Sequence, residues 1–157
     1  MQQESFFNAI RQGDLKEIDK ALKENPQLVH IRDQRGSTPL ILAAYYDHGA
    51  IVTSLLENGA RIDDTDGVGN TALMGVCFKG YAGIAEQLMK AGADVNTTNS
   101  MGASCLIYAI TFNKPEIARL LIAHGADLNI KDARGNTALD HAKMQGFGHL
   151  EEILTNK

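Results

Sequence analysis

The chain repeats itself at an interval of 33 residues, and this period restricts its fold more than any other feature of the sequence. The clearest column of repeated residues consists of Gly36, Gly69, Gly102 and Gly135. Leucines keep the same register at Leu40, Leu73, Leu106 and Leu139. A period of this length is typical of a solenoid, in which one repeat cannot bury its apolar face alone and stacked neighbours build a continuous core.

The period divides the 157 residues into five units. These units span residues 1–32, 33–65, 66–98, 99–131 and 132–157. The first unit departs from the pattern, because Gly13 comes one residue earlier than the column of Gly80 and Gly146 requires. The last unit is shorter than the others, and both terminal units carry additional polar residues. We interpret them as divergent N- and C-terminal caps, since the end faces of a solenoid meet water.

Each unit predicts a pair of α-helices. In the unit 33–65, Thr38 occupies the position of an N-cap and Pro39 the first helical position. Apolar residues then recur over residues 51–56 with the spacing of an amphipathic second helix. Gly59 follows where a helix ends in a left-handed residue. The predicted fold class is therefore all-α.

The motifs within the units resemble those of ankyrin repeats. The segment GSTPLILAA is followed by ENGARID, and GNTALMGVC is followed by KAGADVN. This resemblance implies an ankyrin-repeat solenoid of five helical-hairpin units, forming a single domain over residues 1–157. The histidine of the T-P-L-H-x-A motif is absent, and its place is taken by Ile41, Met74, Ile107 and Asp140. The resemblance is specific for the fold, whereas function depends on the side chains at the surface.

Composition excludes several classes of partner. The net charge of −4 argues against binding to nucleic acid or to anionic membranes, since both need a positive surface. No apolar run is long enough for a membrane helix, and the first residues do not resemble a signal peptide. Two cysteines are too few for a disulfide scaffold. We expect a cytoplasmic monomer without a cofactor or a metal.

Candidate catalytic residues are few, and no catalytic residue is assigned. One alternative is an accessory or hydrolytic role with a site at His141, at Cys105 or at the acidic turn tips around Asp63, Asp64 and Asp66. Cys105 lies at a predicted helix start, where the thiol pKa can be lowered, so it is the better candidate of the two cysteines, but we favour inert packing for it. No histidine forms an H-E-x-x-H motif and no serine lies in a G-x-S-x-G motif. A second alternative is a structural domain that associates with itself.

The residues that do not repeat predict a site for a protein partner. They are Gln34, Arg35, Ser37, Tyr45, Tyr46, Val68, Asn70, Phe78, Lys79, Met101, Thr111, Phe112, Arg134 and Met144. The ankyrin resemblance implies that these turn and first-helix residues share one concave face. Aromatic residues, methionine and arginine are enriched at interfaces. The predicted function is therefore non-catalytic protein binding, as an adaptor, an inhibitor or a protective subunit. A competing interpretation is that Phe78, Phe112 and Met144 turn inward and fill gaps between helices.

Overall fold

The structure, a computed structural model, describes residues 2–155, and within them the chain forms ten α-helices arranged as five hairpins. The first helices of the hairpins are α1 (Gln2–Gln12), α3 (Pro39–Tyr45), α5 (Ala72–Lys79), α7 (Cys105–Thr111) and α9 (Ala138–Gln145). The second helices are α2 (Leu15–Glu24), α4 (Gly49–Glu57), α6 (Ala82–Lys90), α8 (Pro115–Ala123) and α10 (Gly148–Thr155). A short 3₁₀ helix, Pro26–His30, follows the first hairpin. The all-α solenoid predicted from the period is confirmed.

Hydroxyl groups fix the start of four of the first helices. The Thr38 hydroxyl oxygen accepts a hydrogen bond from the Ile41 N–H at 3.2 Å, as the N-cap prediction requires. The equivalent caps are Thr71, Ser104 and Thr137. Each such cap contributes about 1 kcal/mol to stability. All first helices after the N-terminal hairpin therefore begin at the same position of the period.

The irregularity of the first unit is a shift of one residue. Gly13 has a φ of +74° and directly precedes the N-cap Asp14, just as Asp47, with a φ of +64°, directly precedes the N-cap His48. The two left-handed residues are 34 positions apart rather than 33. This shift places Arg11 of α1 at the position that Tyr45 occupies in α3.

Helices of the same kind lie next to one another along the solenoid. The first helices pack side by side in chain order and the second helices form a parallel row behind them. Between the rows lies an apolar core whose largest fully buried side chains include Leu40, Leu73, Leu106, Ile51 and Leu88. These residues belong to the repeated columns, so the period marks the core.

A ladder of turns connects the units on one side of the helices. Asp33 occupies the first position of its turn, and its Oδ1 accepts hydrogen bonds from the N–H groups of Arg35 and Ser37, each at 2.9 Å. The same role falls to Asp66, Asn99 and Asp132. Successive turns are joined by single backbone hydrogen bonds, such as that from the Ala133 N–H to the Met101 carbonyl at 2.9 Å. The tips therefore form a continuous row beside the first helices.

Candidate partner-binding face

The turn tips and the exposed sides of the first helices form one surface, which we call the turn–helix face. Within residues 2–155 all seven exposed large apolar side chains lie on it. They are Tyr45, Tyr46, Val68, Phe78, Met101, Phe112 and Met144. The exposed fraction is 43% for Phe78, 41% for Phe112 and 62% for Met144. The interpretation that these three side chains turn inward is therefore wrong.

Five aromatic rings form a wall along the first helices. This aromatic wall consists of Tyr45, Tyr46, Phe78, Tyr108 and Phe112. The rings of Phe78 and Phe112, on adjacent helices, meet edge to face with their centroids 4.7 Å apart. The Lys79 Nζ lies 4.7 Å from the centroid of the Tyr45 ring. Edge-to-face pairs of this kind contribute about 0.5–1.5 kcal/mol, so they hold the rings in place although water still reaches them.

A groove of about 560 Å³ runs between the aromatic wall and the turns. Its floor includes Ile41, Met74 and Gly75, and the opposite side includes Asp66 and Asn70. We call it the central groove. Its volume falls within the roughly 300–1,000 Å³ of typical ligand pockets.

A second cavity, of about 630 Å³, lies at the N-terminal end of the turn–helix face. Gln3 and Glu4 of α1 and the arginines Arg11, Arg32 and Arg35 line it. We call it the N-terminal cavity. Arg11 and Arg35 also line the central groove, as does Asp33, so the two hollows are neighbours.

Comparison with known proteins agrees with this architecture. One family model, described as ankyrin repeats (3 copies), matches residues 6–99, and a second, described as ankyrin repeats (many copies), matches residues 88–142. The chain belongs to the ankyrin-repeat family. No curated protein matched its sequence.

Several residues predicted to contact a partner have other roles in this ankyrin-repeat protein. Ser37 is only 7% exposed and its backbone closes the turn with Asp33, so it lines the central groove with little accessible surface. The Asn70 Oδ1 accepts a hydrogen bond from the Asn99 Nδ2 at 2.8 Å, which ties Asn70 to the next turn. Thr111 is half-buried. Ser37 and Asn70 therefore hold the turns together while they line the central groove.

The remaining predicted residues lie at the surface of the ankyrin repeats. Gln34, Arg35 and Arg134 are exposed at the turn tips. Lys79 is half-buried beside the aromatic wall. Arg35 lines both hollows, whereas Gln34 lines the N-terminal cavity.

Two residues of the ankyrin face were missed by the sequence prediction. Tyr108 lines the central groove, and its hydroxyl oxygen accepts a hydrogen bond from the Asn99 Nδ2 at 2.8 Å. It lies one helical turn before Phe112, and this i, i+4 spacing is a signal that could have identified it. Arg11 was hidden by the one-residue shift of the first hairpin.

The residues of the enzymatic alternative are engaged within the ankyrin fold. Cys105, predicted to be the more reactive cysteine, is 0% exposed, because the start of α7 lies under the neighbouring helices. Cys77 is also fully buried, and burial together with the neighbouring Cys105 raises its pKa. Asp63 and Asp66 accept backbone hydrogen bonds, and the Asp64 carboxylate lies 3.8 Å from the Arg32 guanidinium.

Neither a metal-binding cluster nor a membrane-spanning helix is found in the described part of the chain. Over residues 2–155 no group of three or more acidic, histidine or cysteine side chains could hold a metal ion. No helix in the same range is long and apolar enough to cross a membrane.

His141, the remaining candidate, pairs with the turn of its own ankyrin unit. Its Nε2 lies 2.7 Å from the Asp132 Oδ2. Burial by itself would raise the pKa of the Asp132 carboxyl, but hydrogen bonds from the Asn136 and Arg134 N–H groups and from His141 hold this pKa below its ordinary value. The pair therefore stabilises the last turn of the ladder with an ionised Asp132.

This arrangement predicts acid sensitivity in the last repeat. Because the folded-state pKa of Asp132 is lowered, its ionisation stabilises the fold above the ordinary aspartate pKa of about 4, and this contribution is lost as the pH falls through the folded value. Asp132→Asn should lower the melting temperature at pH 7, and the difference from the wild type should shrink below about pH 4. Circular dichroism melts across this pH range measure it, with the exposed Glu57→Gln of α4 as the control. A difference that stays constant with pH would contradict the assigned role.

Proposed function

We propose that this ankyrin-repeat protein is a non-catalytic binding module that holds a protein partner on its turn–helix face. The observation that carries the proposal is the placement of every exposed large apolar side chain of residues 2–155 on this one face. The module acts as an adaptor, an inhibitor or a protective subunit of its partner. We further propose that it works in the cytoplasm as a monomer, and that neither nucleic acid nor a membrane is its ligand.

The chemistry of the face suits a protein segment. Aromatic residues carry a large share of the energy at protein interfaces, because they bury much apolar area at a low entropic cost. The contacts between Phe78, Phe112 and Tyr108 hold these rings in place before a partner arrives. A partner therefore loses less free energy in ordering the face than it would on a flexible surface.

The enzymatic alternative receives less support from the geometry. Nucleophilic hydrolysis needs an accessible nucleophile beside a base. The Cys105 thiol is buried in the core, and the His141 imidazole is hydrogen-bonded to Asp132 in a turn that needs this contact. Both arrangements agree with structural roles.

Site-specific crosslinking tests the proposed function. We expect a photoreactive phenylalanine analogue at Met101, which is 62% exposed on the turn–helix face, to form adducts with a protein in native lysate. The same analogue at Arg119, which is exposed on α8 in the row of second helices, should form few. Mass spectrometry of the adducts measures both. Equal labelling from the two positions, or no adduct from Met101 and from Val68, would contradict the proposal.

A further inference from the structure

We infer that the partner segment is acidic at one end and apolar along the rest, with its carboxylates in the N-terminal cavity and its apolar side chains in the central groove. This inference rests on the proposed function and names the chemistry of the partner. The two hollows share Arg11 and Arg35, so a segment in the central groove reaches both guanidinium groups without leaving the surface.

The guanidinium groups in the N-terminal cavity offer more donors than the protein uses. Within residues 2–155 the Arg35 guanidinium has no ion pair and no hydrogen-bond acceptor, and that of Arg11 has one hydrogen bond, to the Asn8 Oδ1 at 2.9 Å. Arg32, in contrast, donates to the carbonyl groups of Gly36 and Thr65. A guanidinium carries five N–H donors in a planar fork that matches a carboxylate.

The carboxylates near these arginines are partly committed to the protein itself. The Asp33 Oδ1 accepts the N–H groups of Arg35 and Ser37, and the Asp66 Oδ1 does the same in the next turn. Glu4 is the exposed carboxylate that lines the N-terminal cavity. The cavity therefore combines the uncommitted donors of Arg11 and Arg35 with two carboxylates, Glu4 and the partly occupied Asp33, and the two guanidinium groups can still donate to the carboxylate oxygens of a ligand.

The charges of the helices leave the aromatic wall open to an acidic ligand. In α2, α6 and α8 the acidic residues are balanced by equal numbers of lysines and arginines, and only α4 and α10 carry a net negative charge. The first helices α3 and α7 carry no charged residue, and α5 carries only a lysine. The helices that carry the aromatic wall therefore bring no carboxylate to it, and an acidic segment meets no like charge from them on its way to Arg11 and Arg35.

The distribution of cations fits a peptide better than a nucleic acid strand. A single strand brings a phosphate with every base and needs cations along its whole path. The turn tips of the two central units, residues 67–70 and 100–103, carry no lysine or arginine. Arg11 and Arg35 instead lie together at the N-terminal end of the aromatic wall, and Arg134 stands apart at the turn tip of the last unit.

The dimensions of the face define the length of the segment. Packed helices lie about 8–10 Å apart, so the three intervals from α1 to α7 span roughly 27 Å. An extended chain covers this distance with about eight residues, at about 3.3 Å per residue. A short linear segment can therefore reach from Arg11 to Phe112.

Selection from a displayed library of random peptides of about 12 residues tests the inference, since this length spans the face. The full chain is immobilised, and selected peptides are synthesised with a fluorophore for anisotropy measurements. We expect enrichment of peptides with aspartate or glutamate at one end and aliphatic or aromatic residues beyond. Their affinity should fall at least about tenfold in the double variant Arg11→Glu and Arg35→Glu, and it should fall with added salt. The control variant Lys20→Glu and Arg119→Glu reverses two exposed charges on second helices and should bind as the wild type does.

The alternative outcomes separate this inference from the proposed function. Peptides that need the aromatic wall but bind the Arg11→Glu and Arg35→Glu variant unchanged would overturn the acidic segment and leave the proposed function standing. If every selected peptide binds equally well after the aromatic wall is replaced with alanine, both the inference and the proposed function are wrong. Binding of a fluorescent oligothymidine to the same arginines would assign them to a nucleic acid and overturn the inference. Light scattering that shows a dimer in the wild type and a monomer in the variant would assign the cavity to a second copy, with the same consequence.

Discussion

Replacing Tyr46, Phe78 and Phe112 together with alanine is expected to weaken partner binding by at least a factor of about one hundred. Central aromatic anchors at protein interfaces each contribute about 2 kcal/mol or more, and every 1.4 kcal/mol corresponds to a factor of about ten in affinity. These three rings belong to the aromatic wall that lines the central groove. Their loss removes the apolar contact surface over three adjacent units.

The same variant should remain folded. The three side chains are 41–43% exposed, so their removal leaves the buried core between the helix rows in place. Loss of the contact between Phe78 and Phe112 costs about 0.5–1.5 kcal/mol, which lowers the melting temperature by several degrees at most.

Binding of the crosslinked partner and circular dichroism melts measure the two parts of this prediction. A triple alanine variant at the exposed Glu57, Glu116 and Arg119 of the second helices is the matched control and should bind normally. Retained binding by the aromatic variant would show that the partner uses another surface. An unfolded aromatic variant would show instead that the three rings stabilise the fold.

Gly102→Ala should destabilise the protein by about 2–4 kcal/mol, considerably more than Gly135→Ala. Gly102 and Gly135 occupy the same place in successive turns and have similar φ angles of +74° and +84°. Either alanine costs about 1 kcal/mol for the left-handed conformation. A Cβ on Gly102 would also lie 2.8 Å from the backbone nitrogen of Ala133, whereas a Cβ on Gly135 has no atom within 4 Å. Overpacking of this kind adds about 1–3 kcal/mol.

Urea denaturation of the two variants measures the difference, and hydrogen exchange locates it. The Ala133 N–H donates to the Met101 carbonyl in the turn ladder, so its exchange should accelerate in Gly102→Ala and stay slow in Gly135→Ala. Equal losses of stability in Gly102→Ala and Gly135→Ala would mean that neighbouring turns can move apart without a cost in free energy. In that case the ladder would not hold the turn tips at a fixed spacing.

Much of the fold could be predicted because the residues that pack in the core recur in each unit, whereas the residues at the surface differ between units. The column of Leu40, Leu73 and Leu106 is buried in the three central units, so its residue type stays constant. Aromatic residues such as Phe78 stand at positions where the residue type varies, and this contrast placed them at the surface before any coordinate was known. The core columns followed from the 33-residue register, whereas the placement of the variable residues on one face also needed the ankyrin resemblance.

The predictions are least accurate where the 33-residue register does not determine how deeply a side chain is buried or which way it points. Ser37 lies in a variable column, yet the turn closes over it and leaves it 7% exposed. A helix start could also have made Cys105 reactive, and it is the cover by adjacent helices that agrees with the packing role favoured for it. Arg11 belongs to the face only because the first hairpin contains one residue more between equivalent positions than the period allows. Such outcomes depend on three-dimensional neighbours that a linear period does not specify.

The turn ladder also affects how such a surface can change over generations. The link that recurs between turns joins backbone atoms, as in the bond from the Ser100 N–H to the Val68 carbonyl at 3.0 Å. The side chains of Arg35, Val68 and Met101 can therefore be exchanged by mutation while the spacing between their Cα atoms stays the same. Duplication of a whole unit would lengthen the face by one step and leave the existing steps unaltered. Mutation can thus change the side chains of the face without changing its backbone geometry, so the binding specificity can evolve while the fold stays the same.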